Sequence, residues 1–238
     1  MSNKVKIYIY SLLLLLFGTW GCAEANNVLT HNGGDIGKEA MEDLFDPDSW
    51  FAINEIDSLV FSRIKGKSYK DDCTVPLDEL RYITMAHYGA DGEVLKGELI
   101  CNKAIAEDLL DIFRNLYKAQ YPIESIRLID EYDADDVKSM QANNTSCFNY
   151  RVVAGSKKLS KHATGMAIDI NPLYNPYVRS VNGKTVVSPP EAEPYSKRTG
   201  EIPFKIDTND LCYKEFIAHG FTWGGAWKSL KDYQHFEK

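Results

Sequence analysis

The segment Leu159-Ser160-Lys161-His162-Ala163-Thr164-Gly165-Met166-Ala167-Ile168-Asp169-Ile170-Asn171-Pro172 constrains this chain more than any other. Met166, Ile168 and Ile170 alternate with Ala167, Asp169 and Asn171. That period of two predicts a strand with its apolar trio on the core face and Asp169 on the other. An ionised carboxylate within so short an apolar strand is costly unless a cation or a donor meets it. Zinc meets that need. His162 stands just before the strand, and Gly165 permits the sharp bend that brings its imidazole back beside Asp169.

A zinc site with two ligands here needs a third from elsewhere and an open position for water. The segment Asp232-Tyr233-Gln234-His235-Phe236-Glu237 supplies it, with His235 as the third ligand. Asp232, three residues earlier, is expected to reach the metal-bound water without ligating. Glu237 is its rival as base, because it alternates with His235 on a strand and so shares its face. Of the other histidines, His31 falls in a polar stretch, and His219 precedes Gly220 at a helix end, where a cation complements the helix dipole. His87 ends an alternating strand and is expected to pack in the core, with a cleft position as the other reading.

Around these motifs the reading is α+β. Leu80–His87 alternates as a strand, Gly89-Ala90-Asp91-Gly92 is turn chemistry, and Val94–Cys101 returns. Residues 102–120 carry apolar side chains at helical spacing with Asn102 as cap, and Leu211–His219 is a second amphipathic helix. Ile126–Ile129 and Phe148–Val153 read as short strands, and Val137–Ala142 as a helical turn. Strands and helices do not alternate in a βαβ rhythm.

The amino terminus decides the compartment. Lys4 and Lys6 precede the apolar block Ile7–Phe17, which at about eleven residues is too short to span a bilayer. Residues 1–21 are therefore read as a secretory signal, 22–45 as a polar, glycine- and asparagine-rich tether, and 46–238 as one domain. Gly21-Cys22 is a lipoprotein-type processing site with Cys22 as the lipid-bearing residue, and Ala23-Glu24-Ala25 is the rival site for ordinary signal peptidase. Cys73, Cys101, Cys147 and Cys212 remain, an even number that an oxidising compartment could pair or that the core could hold as free thiols. Thirty-four acidic against 27 basic side chains exclude a nucleic-acid partner, and membrane contact is expected only through a lipid at Cys22.

Taken together, Ser160-x-His162-x-x-Gly165-x-Ala167-x-Asp169, Trp223-Gly224-Gly225-x-Trp227 and Asp232-x-x-His235 resemble the VanY-type D-alanyl-D-alanine carboxypeptidase family of zinc peptidases. That family includes D,D-dipeptidases and L-alanyl-D-glutamate endolysins. The resemblance is strongest over residues 155–238. It implies a hedgehog/D,D-peptidase-like fold, a small antiparallel sheet flanked by helices. It also implies Zn2+ on His162, Asp169 and His235, with Asp232 as general base. The family's arginine for a substrate carboxylate corresponds to Arg151, with Arg127 as the other choice. Ser160 is a substrate contact or a strand-end hydrogen-bonder, and Asn143–Arg151 lines the cleft or is a loop held by its own polar side chains. The expectation is a monomeric zinc metallopeptidase of the bacterial cell envelope (periplasm) that cleaves D-alanyl-D-alanine in peptidoglycan stem peptides. The alternatives are an L-alanyl-D-glutamate-type endopeptidase and a non-catalytic zinc-binding cell-wall module.

Overall fold

The computed structural model describes residues 46–153 and 155–238; the signal and tether segments, with Cys22 and His31, lie outside the described residues. Residues Pro47–Lys238 form one compact unit. It is mixed α and β, with small and mostly antiparallel sheets.

The first sheet joins β1 (Ala52–Asn54), β2 (Leu80–Tyr88) and β3 (Val94–Asn102) in that order. Gly92, at φ +78, turns the hairpin from β2 to β3. Helix α1 (Ser58–Ile64), capped by Asp57, lies between β1 and β2 in the chain. Helix α2 (Ala106–Lys118) follows a short 3-10 turn in which the Asn102 side chain accepts from the Ala104 amide at 3.0 Å, so the expected cap is in place. Leu109, Ile112, Phe113 and Leu116 share one face of α2 and are buried with Ile83, Met85, Leu99 and Cys101 of the hairpin.

Further along come β4 (Ser125–Ile126), α3 (Asp136–Gln141) and β5 (Asn144–Thr145), the last parallel to β4. Next are β6 (Ala167–Asp169), the hairpin of β7 (Tyr177–Val181) and β8 (Lys184–Ser188), and α4 (Leu211–Ala218). The chain ends with β9 (Thr222–Trp223), β10 (Lys231–Asp232) and β11 (His235–Glu237). β11 lies between β6 and β9, while β10 pairs with β7. The register sets His235 opposite Asp169 and Phe236 opposite Ile168. Side chains alternate across a strand, so one face of this pair carries the polar residues and the other is core. Phe236 is fully buried and stacks on Phe216 of α4 with ring centroids 4.3 Å apart.

Two expectations need correction. Phe148–Val153 is not a strand: successive amides of Phe148, Asn149 and Tyr150 donate to Ile100, His162 and Ser68, three different segments, and only Val152 makes a bridge, to Leu159. Ile126–Ile129 stops being a strand after Ile126 and enters a 3-10 turn at Ile129–Tyr132. That turn is held by the Asp130 carboxylate, which accepts from the amide and the hydroxyl of Ser68 at 2.9 Å each. The four cysteines Cys73, Cys101, Cys147 and Cys212 are all free thiols, so no disulfide joins any two of them.

Candidate metal centre

His162 sits in a 3-10 turn, Lys161–Thr164, whose geometry follows from the residues at its two ends. Ser160 caps the start, its hydroxyl oxygen accepting from the His162 amide at 3.2 Å. Gly165 closes the turn in the left-handed region at φ +69, and a Cβ there would lie 2.6 Å from the backbone nitrogen of Asn102. Only glycine satisfies both the conformation and the close approach to β3. The same contact is a hydrogen bond, Asn102 N–H to the Gly165 carbonyl at 2.9 Å.

The turn delivers the His162 ring to the polar face of the β6–β11 pair. Its Nε2 lies 3.3 Å from Asp169 Oδ2 and 3.2 Å from His235 Nδ1, and His235 Nδ1 lies 3.0 Å from Asp169 Oδ1. One ligand atom from each of the three residues falls within 4.8 Å of the others. All three are buried, at 4%, 5% and 6% exposure. The remaining imidazole nitrogens are also engaged: His162 Nδ1 donates to the Cys147 carbonyl at 2.6 Å, and His235 Nε2 lies 3.2 Å from Glu237 Oε2. An acceptor on the outward nitrogen fixes the ring tautomer and turns the other nitrogen's lone pair inward, as in histidines that ligate metals.

The electrostatics agree with a site built for a cation. Burial raises the Asp169 carboxyl, but the adjoining imidazoles and their hydrogen bonds outweigh it and hold it far below the usual carboxylate range. Burial likewise lowers His235, yet hydrogen bonds to Asp169 and Glu237 carry it up to about 10. Two nitrogens and a carboxylate oxygen, converging in a buried cluster, could hold a metal ion, and imidazole nitrogen and carboxylate oxygen are both ordinary zinc ligands.

Asp232 approaches this cluster because Gly224 has no side chain: a Cβ at Gly224 would lie 2.6 Å from the Asp232 carbonyl oxygen and 3.2 Å from His235 Cβ. The Asp232 Oδ1 atom is buried with no hydrogen-bond partner. Burial, with Asp169's charge adding and His235 opposing, raises Asp232 to about 7, the range a general base at neutral pH requires. Glu237 faces the outer nitrogen of His235, behind the ligand instead of across from it. Strand alternation predicted the shared face; the role as His235's partner was readable only from the register.

The other candidates are dispersed. Arg151 is bound to Asp136 of α3 at 2.8 Å, with its Nε buried and unpartnered. Arg127 lies 3.7 Å from Glu131 and lines a cavity of about 480 Å³ together with His87, Lys96 and Glu98. His87 is packed in the core as expected, 3% exposed and bonded to the Ile123 carbonyl through Nδ1 at 2.8 Å; the cavity it borders is lined by none of the cluster's residues. His219 bonds the Glu215 carbonyl of its own helix, a structural position. The Trp227 ring lies 5.3 Å from that of His235 and forms one side of the cluster. In the 143–151 stretch, Asn143 and Asn144 are tied to Glu124, Ser139 and the Arg127 carbonyl, while Cys147 offers its carbonyl to His162. The sequence marked Cys147 only as a cysteine, because no motif marks a residue that acts through its backbone carbonyl.

Residues 154–238 match the model of a family described as D-alanyl-D-alanine carboxypeptidase, a VanY-like family of zinc peptidases, and all three residues of the cluster fall within the match. No curated protein and no solved structure gives a significant match.

Proposed function

We propose that this chain, which its residues 154–238 assign to the VanY-type D-alanyl-D-alanine carboxypeptidase family, is a zinc-dependent carboxypeptidase of peptidoglycan stem peptides. One observation carries the reading: His162, Asp169 and His235 converge within 4.8 Å, beside an Asp232 oxygen that has no partner. A hydrolase of the family's type needs both, a metal-holding triad and a free base.

His162 Nε2, His235 Nδ1 and an Asp169 oxygen would hold the zinc, which when bound supplies a Lewis acid that acidifies water and polarises a carbonyl. The Cys147 carbonyl and the Glu237 carboxylate orient the two rings. Asp232 takes the proton of the attacking water through its free oxygen and returns it to the leaving amine. Trp227 and the buried β6–β11 face keep bulk water from the charged groups, which strengthens every interaction among them. For the terminal carboxylate of a substrate, Arg151 would have to exchange Asp136, whereas Arg127 has donors to spare. Ser160 retains its O–H as a donor after its oxygen has capped the turn.

Within this reading the fold is of the D,D-peptidase type, and the protein acts as a monomer in the bacterial envelope, reached through the signal at residues 1–21 and held, if at all, by lipid on Cys22. The test is incubation of purified muropeptides with the zinc-loaded protein, read by mass. Loss of one terminal D-alanine from pentapeptides supports a carboxypeptidase. Cleavage nearer the glycan supports the endopeptidase alternative, and zinc without any cleavage supports the non-catalytic module.

A further inference from the structure

The cavity of about 480 Å³ between β3 and the β4 segment contains no residue of the metal centre in its walls, and His87 borders it. His87 is 3% exposed. Its Nδ1 faces the Ile123 carbonyl at 2.8 Å; a carbonyl only accepts, so Nδ1 carries the proton and Nε2 of the neutral ring presents a lone pair. That Nε2 has no hydrogen-bond partner among the described residues, yet it is not one of the unpartnered atoms sealed from solvent, which are Asn149 Oδ1, Arg151 Nε, Asp232 Oδ1 and Gln234 Oε1. It is therefore reached from the cavity. Gly97 makes this possible: it lines the same cavity, and a Cβ there would lie 3.2 Å from Cδ2, the ring carbon bonded to Nε2.

The walls around this acceptor carry both signs of charge. Glu98 is already occupied, accepting from Arg63 and from the Tyr82 hydroxyl. Glu124 is not: one oxygen accepts from Asn143 Nδ2 at 2.7 Å, and the other has no hydrogen-bond partner among the described residues. Lys96 is exposed and makes no ion pair among the described residues. Arg127 lies 3.7 Å from Glu131, too far for a hydrogen bond, so its fork of N–H donors is available. Unused acceptors and unused donors thus line one cavity without pairing with each other. A simple cation placed there is opposed by Lys96 and Arg127, and a simple anion by Glu124; a ligand that carries both charges meets a partner for each.

We propose that this cavity is a binding site for an α-amino acid group, with the ammonium on His87 Nε2 and Glu124 and the carboxylate on Arg127 and Lys96. The volume is within the range of small-molecule sites. The site stands apart from the metal centre and does not depend on what that centre hydrolyses. Two sources carry the group: a free amino acid, and the side-chain end of a diaminopimelic acid residue in a peptide.

The experiment titrates L-alanine, acetate and methylammonium separately into the zinc-loaded protein and follows the imidazole nitrogen resonances of His87. Diaminopimelic acid blocked at one end, acetylated on the nitrogen and amidated at the adjoining carboxyl, represents the second source. The titrations are repeated in Lys96→Ala and Glu124→Gln, neither of which alters a buried side chain. The expected result is a saturable shift of Nε2 with alanine or the blocked diamino acid, and binding about tenfold or more weaker for acetate and methylammonium. Each substitution weakens binding about tenfold, as expected for one charge-assisted hydrogen bond. Tighter binding of alanine supports the site with a free amino acid as its ligand, and tighter binding of the blocked diamino acid supports it with a peptide-borne group. No saturable shift with either probe, acetate binding as tightly as alanine, or unchanged affinity in both variants overturns the proposal. Each of these results leaves the peptidase reading untouched.

Discussion

Nε2 of His162 and Nδ1 of His235 lie 3.2 Å apart, and Asp169 touches both. Two imidazole lone pairs do not face one another at that distance without a positive charge between them. In the metal-free protein that charge is a proton on His235, which its hydrogen bonds to Asp169 and Glu237 hold up to about 10 despite its burial. Zinc must displace it. Calorimetric titration of zinc into the metal-free protein at pH 7, in buffers of different ionisation heat, is expected to show release of about one proton or more. A heat independent of buffer would contradict this arrangement.

The carboxylate of Glu237 lies 3.2 Å from His235 Nε2, on the side away from the cluster. Removing it in Glu237→Ala leaves the β11 pairing to Ala167 and Thr222 unchanged, since that is backbone, but frees the ring. Zinc affinity is expected to fall about 10–100-fold, with activity restored at saturating zinc. If Glu237 were instead the general base, activity would stay lost at any zinc concentration.

Gly165→Ala puts a Cβ 2.6 Å from the Asn102 nitrogen and forces a left-handed φ on a residue that resists it. The conformational term is about 1–2 kcal/mol and the overpacking term about 1–3 kcal/mol, so urea unfolding should register a loss of roughly 2–5 kcal/mol. Because the displaced turn carries His162, zinc affinity falls with it. A stability change under about 1 kcal/mol would mean that the turn can shift away from β3 without strain.

His87 is held neutral, burial pushing it down to about 4, with Arg127 adding and its carbonyl bonds partly opposing. Its ordinary value is 6.5. A folded-state pKa below the unfolded one gives stability that is present above pH 6.5 and is lost as pH falls towards 4. The shift corresponds to about 3 kcal/mol. Unfolding free energies of wild type and His87→Asn, compared at both ends of that window, should differ in their acid dependence by about that amount; parallel curves would show that His87 does not titrate with folding.

Legibility of the molecule from its sequence followed the length of each element. The β2–β3 hairpin and α2 were readable because nine- and thirteen-residue elements repeat their period several times. β6 has three residues, yet it was found because Ile168 and Ile170 flank an acid that a strand rarely tolerates. β4, β5, β9 and β10 have two residues each and leave no period to detect. The β7–β8 hairpin went unread although Asn182-Gly183, both at positive φ, is a turn signal between alternating residues. The stretch after Cys147 reads as a strand in sequence, but the amides of Phe148, Asn149 and Tyr150 serve three separate segments, and Val152 and Val153 are exposed. At the site, His162, Asp169, His235 and Asp232 were legible as residue types at fixed spacing. Their supports were not: the Cys147 carbonyl belongs to the backbone, and Glu237 acquires its position only from the register of β11.

The central claim is that the buried triad holds zinc and Asp232 uses it to hydrolyse a stem peptide. The most direct measurement is D-alanine release from a stem pentapeptide by zinc-loaded wild type and Asp232→Asn, with bound zinc determined on the same samples. The account predicts stoichiometric zinc in both proteins, release by the wild type that a chelator abolishes, and a rate about 10²–10⁴-fold lower in Asp232→Asn. Stoichiometric zinc in a wild type that releases nothing from any stem peptide would contradict it.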